Sequence, residues 1–250
     1  MRKRTKIIAT IGPSSSSSSK LNEMILEGVD VFRINMSHSS IKQTKKIVEQ
    51  LKVESGRLKR PVATMIDLQG QKIRIKDLGK NKHILLKARD EFILDCALSA
   101  GRGTSRCVGV TYKDLYKHLD VGDEILLSDA IIKLEVTKIN KTKIYTKVLR
   151  GGKLKPHQGL NKKGGGLTLR GITSKDKNDL KELLKFDIDY VAVSFVKDEK
   201  DVKEVRKIIG KKPIGIIAKI ERAEAISKID KIAEVSDGIL VARGDLGVEI

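Results

Sequence analysis

Apolar runs and helical spacing alternate through the first third of the chain. Residues 5–11 are apolar and β-branched, and Gly12-Pro13 stops them, which predicts a strand. Ser14 to Ser19 is a run of six serines, read as a flexible loop or as a helix entry whose last serine caps residues 20–27. Residues 29–36 predict a second strand. Residues 41–58 carry Ile41, Ile47, Val48 and Leu51 at helical spacing, and residues 61–66 predict a third strand. This alternation points to βα units around a parallel sheet.

Between about residues 76 and 167 the pattern changes. Short β-branched segments at 84–86, 91–94, 124–127, 131–136 and 143–149 are punctuated by Gly122-Asp123, Asn140 and Gly151-Gly152. They predict a small antiparallel β domain inserted into the α/β domain, with Gly164-Gly165-Gly166 as the hinge back out. The expected division is residues 1–75 with 168–250, and 76–167. The α/β rhythm then resumes. A helix starts near residues 173–176 with Ser174 as N-cap and runs on through 177–184. A strand at 189–195, a helix at 200–209, a strand at 213–220, a helix at 224–235 and a strand at 238–242 follow.

Composition narrows the function classes. The chain has 250 residues, 40% of them hydrophobic and 33% charged, which suits a folded protein with a sizeable core. The net charge of +19 opens a nucleic-acid reading. The lysines are spread along the whole chain, however, and aromatics are 3% with no Trp, so stacking platforms are few. A solvated lysine-rich surface is the expectation, with no nucleic-acid partner. Cys96 and Cys107 have neither metal-ligand spacing nor a disulfide framework, which suits a reduced, cytoplasmic setting. Met1-Arg2-Lys3-Arg4 lacks the apolar run of a signal peptide, and no stretch is long enough to span a bilayer.

The candidate chemistry sits where strands end. Arg33, Asn35 and Ser37 recur at every second position, a strand period that puts them on one face. Asp67 closes an apolar run and is followed by Gly70, Lys72 and Arg74, a carboxylate, a turn and two cations. Lys219 and Glu221 are two apart at the end of residues 216–218, where burying them without partners would be costly. A divalent cation on Glu221 and an anionic substrate on Lys219 would satisfy both. Arg243 and Asp245 are again two apart, delivered by residues 239–242 into a glycine-containing turn, and Gly244 leaves room for a ligand. Two carboxylates, several cations and close-approach glycines suit Mg²⁺-assisted phosphoryl chemistry. No Walker-type phosphate loop, dinucleotide fingerprint or Cys–His nucleophile set is present.

Five segments carry a family resemblance: residues 5–13, the Arg33–His38 stretch, Asp67-Leu68-Gln69-Gly70, Lys219-Ile220-Glu221, and Ala242 through Gly247. In this order they resemble pyruvate kinase, and the resemblance spans essentially the whole chain. It implies a fold of class α/β: a partial (β/α)₈ TIM barrel, six of eight strands, with an inserted small antiparallel β-barrel lid. It implies transfer of a phosphoryl group from phosphoenolpyruvate to ADP, giving pyruvate and ATP with Mg²⁺. Arg33 would bind the phosphoryl group. Asn35, Ser37 and Asp67 would form the monovalent-cation and phosphate region. Asn35, His38 and Arg74 would serve the nucleotide. Arg33, Lys219 and Arg74 are the expected catalytic residues, with Lys219 stabilising phosphoryl group and developing enolate. Glu221 and Asp245 would hold Mg²⁺, and Gly244 and Asp245 would contact the substrate.

The sequence departs from the family pattern at several positions. Gln71 stands where the family usually has proline, and Ser39 where it has glycine. Lys72 occupies a position where potassium-dependent members carry glutamate, so K⁺ is expected to be dispensable. The lid's usual Lys-Gly reads Gln158-Gly159 ahead of Leu160-Asn161, which removes one nucleotide-side cation. Two barrel strands, a threonine associated with enolate protonation and a C-terminal domain have no counterpart. The expectation is therefore a chain inactive alone, a split enzyme's half completed by a second polypeptide, or a truncated relative that binds phosphoenolpyruvate or nucleotide only. A homo-oligomer is the other expected assembly.

Overall fold

In a computed structural model, residues 4–167 and 171–250 are described. Met1-Arg2-Lys3 and the expected domain boundary at residue 168 lie outside them. The first third forms β1 (Ile8–Thr10), α1 (Ser18–Leu26), β2 (Val31–Asn35), α2 (Ile41–Leu58) and β3 (Ala63–Asp67). In β2 the alternation is visible directly: Phe32 and Ile34 are buried, and Val31, Arg33 and Asn35 face the other way. Helix α2 has the expected bounds. Ser40 and Gln43 cap it reciprocally, and Thr44, Ile47, Val48 and Leu51 form its buried stripe. In α1 the cap is Ser17, whose hydroxyl accepts from the Lys20 N–H, and not the last serine of the run.

The middle of the chain forms β4 (Ile84–Leu86), β5 (Glu91–Asp95), β6 (Cys107–Gly109), β7 (Glu124–Leu127), β8 (Ile132–Asn140), β9 (Lys143–Arg150), β10 (Gly152–Leu154) and β11 (Leu160–Lys162). Five of these coincide with apolar segments of the sequence. The three-residue β6, β10 and β11 are too short to show a period. The order of the larger sheet is β11-β7-β8-β9-β5-β6, with β10 paired to β4 apart from it. The sheet is not wholly antiparallel, because β5 and β6 run parallel. Its core holds Ile75, Phe92, Leu94, Val108, Ile125, Leu134 and Ile144, all buried.

The last third forms α3 (Ser174–Leu183), β12 (Tyr190–Val193), α4 (Glu199–Ile209), β13 (Gly215–Ile220), α5 (Ala223–Ile226), α6 (Ile229–Val235), β14 (Gly238–Val241) and α7 (Arg243–Glu249). Three features differ from the sequence reading. The cap of α3 is Thr173, not Ser174: its hydroxyl accepts from the Asp176 N–H while Asp176 accepts from the Thr173 N–H. One helix over 224–235 is instead two, ended at Ser227, whose hydroxyl donates to the Glu224 carbonyl. The glycine-containing turn after residue 242 is the helix α7.

Two compact units result. The described parts of the first fall in Met1–Gln71, Arg170–Ile220 and Lys228–Val241. Its sheet has the order β1-β2-β3-β12-β13-β14, and every neighbouring pair is parallel. Parallel neighbours need crossovers, which α1 to α4 and α6 supply. The second unit comprises described parts of Lys72–Leu169 with Glu221–Ser227 and Ala242–Ile250. Among the described residues no helix is long and apolar enough to cross a membrane.

The observed cap of α3 is testable. Thr173→Ala is expected to lower stability by about 1 kcal/mol in urea unfolding. Ser174→Ala, at the first helical position, is expected to stay within about 0.5 kcal/mol of the parent. The reverse order would place the cap at Ser174.

Candidate active site

Parallel register builds the first cluster. Asn35 pairs with Asp67, Asp67 with Ala192, and Ala192 with Ile217, straight across β2, β3, β12 and β13. Residues in register share a face, so Arg33, Asp67, Ser194 and Lys219 fall on one face near the C-terminal ends of their strands. The opposite face is apolar, with Phe32, Ile34, Ile66, Val191, Val193, Ile216 and Ala218 buried.

Asp67 is the hub of that cluster and is 1% exposed. Arg33 donates to its Oδ2 from Nε at 2.8 Å and also from Nη2. Ser194 Oγ donates to its Oδ1 at 3.1 Å, and Lys219 Nζ lies 3.3 Å from each oxygen. Lys219 Nζ also donates to Ser194 Oγ at 2.8 Å, and Arg33 Nη1 to Thr10 Oγ1 at 2.7 Å. Lys219 is itself 7% exposed. In the interior its ammonium meets a carboxylate and a hydroxyl, and the two cations are held in fixed directions.

Glycine makes this approach possible. Gly70 has φ +65°, and a Cβ there would meet Ser194 Cβ at 2.8 Å and Phe195 Cδ2 at 2.9 Å. Phe195 is in the left-handed region at φ 55°, which is strained for so bulky a residue and marks the turn after β12 as over-determined.

The same unit contains a cavity of about 570 Å³ lined by Thr10, Pro13, Asn35, His38, Gln43 and Lys46, among others. Strand alternation ends at Asn35. Its Oδ1 accepts the Ser37 N–H at 2.9 Å, so Ser37 lies in a turn and not on the strand face.

The second unit carries the remaining candidates. Lys72 Nζ lies 2.5 Å from Asp245 Oδ1 and 3.9 Å from Asp129 Oδ1. The Arg74 guanidinium donates to the His157 carbonyl at 2.8 Å. Glu221 follows β13 directly and is buried. Ala242 leads from β14 into α7, whose first turn holds Arg243, Gly244 and Asp245. Residues two apart on a helix do not share a face, so strand parity does not group Arg243 with Asp245. A Cβ on Gly244 would meet nothing within 4 Å, so its backbone is open to a ligand.

The donor set suits magnesium. Among the described residues no group of three or more His, Cys, Asp or Glu is placed to hold a metal ion. Mg²⁺ does not require one, since it binds through one or two carboxylates and keeps waters and substrate oxygens. Glu221 and Asp245 belong to chain segments that leave β13 and β14 just after Ile220 and Val241, which are paired in register.

Two contributors were missed by the sequence reading. Ser194 and Thr10 both end apolar strands, the same signal that marks Asp67 and Lys219.

The whole chain matches the family model described as pyruvate kinase, barrel domain, over residues 2–250. It is 45% identical to the pyruvate kinase of Buchnera aphidicola subsp. Schizaphis graminum, over 99% of this chain and 52% of that protein. It is 38% identical to pyruvate kinase II of Salmonella typhimurium, over 99% of this chain and 52% of that one. Against the pyruvate kinase of Staphylococcus haemolyticus it is 40% identical, over 99% and 43% respectively. The chain thus spans about half the length of the curated relatives it matches.

Gly70→Ala is expected to cost roughly 1–3 kcal/mol in urea unfolding, because both backbone angle and space oppose a Cβ. Gly12→Ala, where nothing lies within 4 Å of the new Cβ, is the matched control and is expected to cost less. Equal stabilities would contradict the close approach of Gly70 to Ser194.

Proposed function

The chain belongs to the pyruvate kinase family, and we propose that its six parallel strands are part of a (β/α)₈ barrel bearing a phosphoenolpyruvate site. The single observation that carries the reading is the pair of cations, Arg33 and Lys219, fixed on one buried carboxylate at the strand ends. In the proposed reaction the phosphorus–oxygen bond to enolpyruvate breaks and a bond to the terminal phosphate oxygen of ADP forms. The enolate takes up a proton to give pyruvate. Arg33 grips the phosphoryl oxygens. Lys219 stabilises both the phosphoryl charge and the negative charge that grows on the enolate oxygen, where fixed positive charge acts most strongly.

Glu221 and Asp245 are the proposed magnesium ligands, and the backbone of Gly244 lies open to the substrate. When bound, the ion would neutralise charge on the substrate oxygens. ADP is proposed to enter the cavity lined by Pro13, Asn35 and His38. The β-rich unit around residues 76–167 is proposed as an inserted lid domain. Asn35, Ser37 and Asp67 form the proposed monovalent-cation region, and the lysine at position 72, where potassium-dependent members carry glutamate, is proposed to make potassium dispensable.

A second reading, ligand binding without turnover, follows from the chain's spanning half of its relatives. Calorimetry with phosphoenolpyruvate and Mg²⁺, beside an assay of pyruvate formation, separates the two. Binding is expected, weakened about 10-fold or more in Arg33→Ala and in Lys219→Ala, since each removes a charge-assisted contact of about 1.5–3 kcal/mol. No binding by the parent chain would overturn both readings. Binding with no pyruvate formed would select the second. A further outcome concerns Lys72: binding, and any turnover, is expected to be unchanged when K⁺ is replaced by tetramethylammonium. A strict K⁺ requirement would contradict the role given to Lys72.

A further inference from the structure

Glu249, the last residue of α7, is 7% exposed, and its carboxylate is occupied on both oxygens. Asn161 Nδ2 of β11 donates to Oε1 at 3.1 Å, and the Ala223 N–H donates to Oε2 at 3.0 Å. The Glu249 carbonyl accepts the Gly164 N–H at 3.0 Å. A buried carboxylate held by neutral donors is an expensive way to fill space. Burial, with the nearby charge of Glu224, raises its pKa against the pull of those donors and of Arg222.

The residues it joins suggest why a charge is kept there. Ala223 is two residues beyond Glu221. Asp245 lies four residues before Glu249, one turn earlier on the same face of α7. One carboxylate therefore ties the segment carrying Glu221 to the helix carrying Asp245, and both to β11. A charged acceptor makes those bonds stronger and more directional than a neutral one.

We propose that Glu249 is a positioning residue that fixes the spacing between Glu221 and Asp245, and thereby sets the affinity for the divalent ion. The inference rests on the magnesium reading above. Groups that orient metal ligands without touching the ion alter metal affinity by about 10- to 100-fold when removed.

The test is Mn²⁺ binding to the full chain, followed by electron paramagnetic resonance of free and bound ion, with unfolding midpoints measured in parallel. Asp245→Asn is the reference and is expected to weaken Mn²⁺ binding about 10-fold or more. Glu249→Ala is expected to weaken it by a similar factor and to change the bound-ion spectrum. Glu249→Gln keeps the shape but turns an amide NH₂ toward one of two donors. It is expected to recover part of the affinity, leaving a loss of about 3-fold. Should Glu249→Ala not fold, Glu249→Gln alone decides. Parental Mn²⁺ affinity in a folded Glu249 variant, with Asp245→Asn impaired, overturns the role of Glu249 and leaves the magnesium site standing. Unchanged affinity in Asp245→Asn overturns the magnesium reading and this inference with it.

Discussion

A charge in a protein interior has to be answered by another, and the first unit is organised around that constraint at Asp67. The carboxylate is buried, and Arg33, Ser194 and Lys219 all reach it. Taking away one partner of such a group strands the other, typically at about 3–5 kcal/mol. The cluster therefore requires four strands to be in register at once. The register does hold from Asn35 through Asp67 and Ala192 to Ile217. The apolar opposite face supplies the burial that keeps the strands there. The proposed function and the fold thus draw on the same residues, and the cations are held in direction by the register of the strands that carry them.

Parallel-sheet enzymes gather their chemistry at the C-terminal ends of the strands, and this chain gathers polar side chains there. The strands are mainly apolar, and their polar side chains gather toward the C-terminal halves or just beyond, at Thr10, Arg33, Asn35, Asp67, Ser194, Lys219 and Glu221. The second unit uses a related device. There Glu249 takes neutral donors where Asp67 takes cations, and Lys72 sits on Asp245. Carboxylates thus act as fasteners in both units.

How far the sequence was legible depends on how local each signal is. Helix α2 is legible to the residue because its apolar stripe of Ile47, Val48 and Leu51 lies within it. The caps of α1 and α3 fall one or two residues from the expected serines because neighbouring serines and threonines are equally suitable; in α3 the Asp176 carboxylate selects Thr173. The break between α5 and α6 does not interrupt the helical period, so a hydroxyl bonding back to the Glu224 carbonyl was invisible in advance. Helix α7 was taken for a turn because Gly244 and Gly247 are poor helix formers. Tertiary bonds to Glu249 outweigh that preference. Arg33, Asp67 and Lys219 could be picked out from strand-end polarity alone. Their meeting on one carboxylate could not, since it depends on the register of distant strands. Ser194 carried the same signal and was passed over.

Whether the cations held by Asp67 grip a phosphoryl group is tested most directly by a crystal structure of the chain with phosphoenolpyruvate and Mn²⁺, the ion being located by its anomalous scattering. The expected result is phosphoryl oxygens within hydrogen-bonding distance of the Arg33 guanidinium and the Lys219 ammonium, and Mn²⁺ on Glu221 and Asp245. A ligand bound elsewhere, with Arg33 and Lys219 still engaged only with Asp67, Ser194 and Thr10, would contradict it.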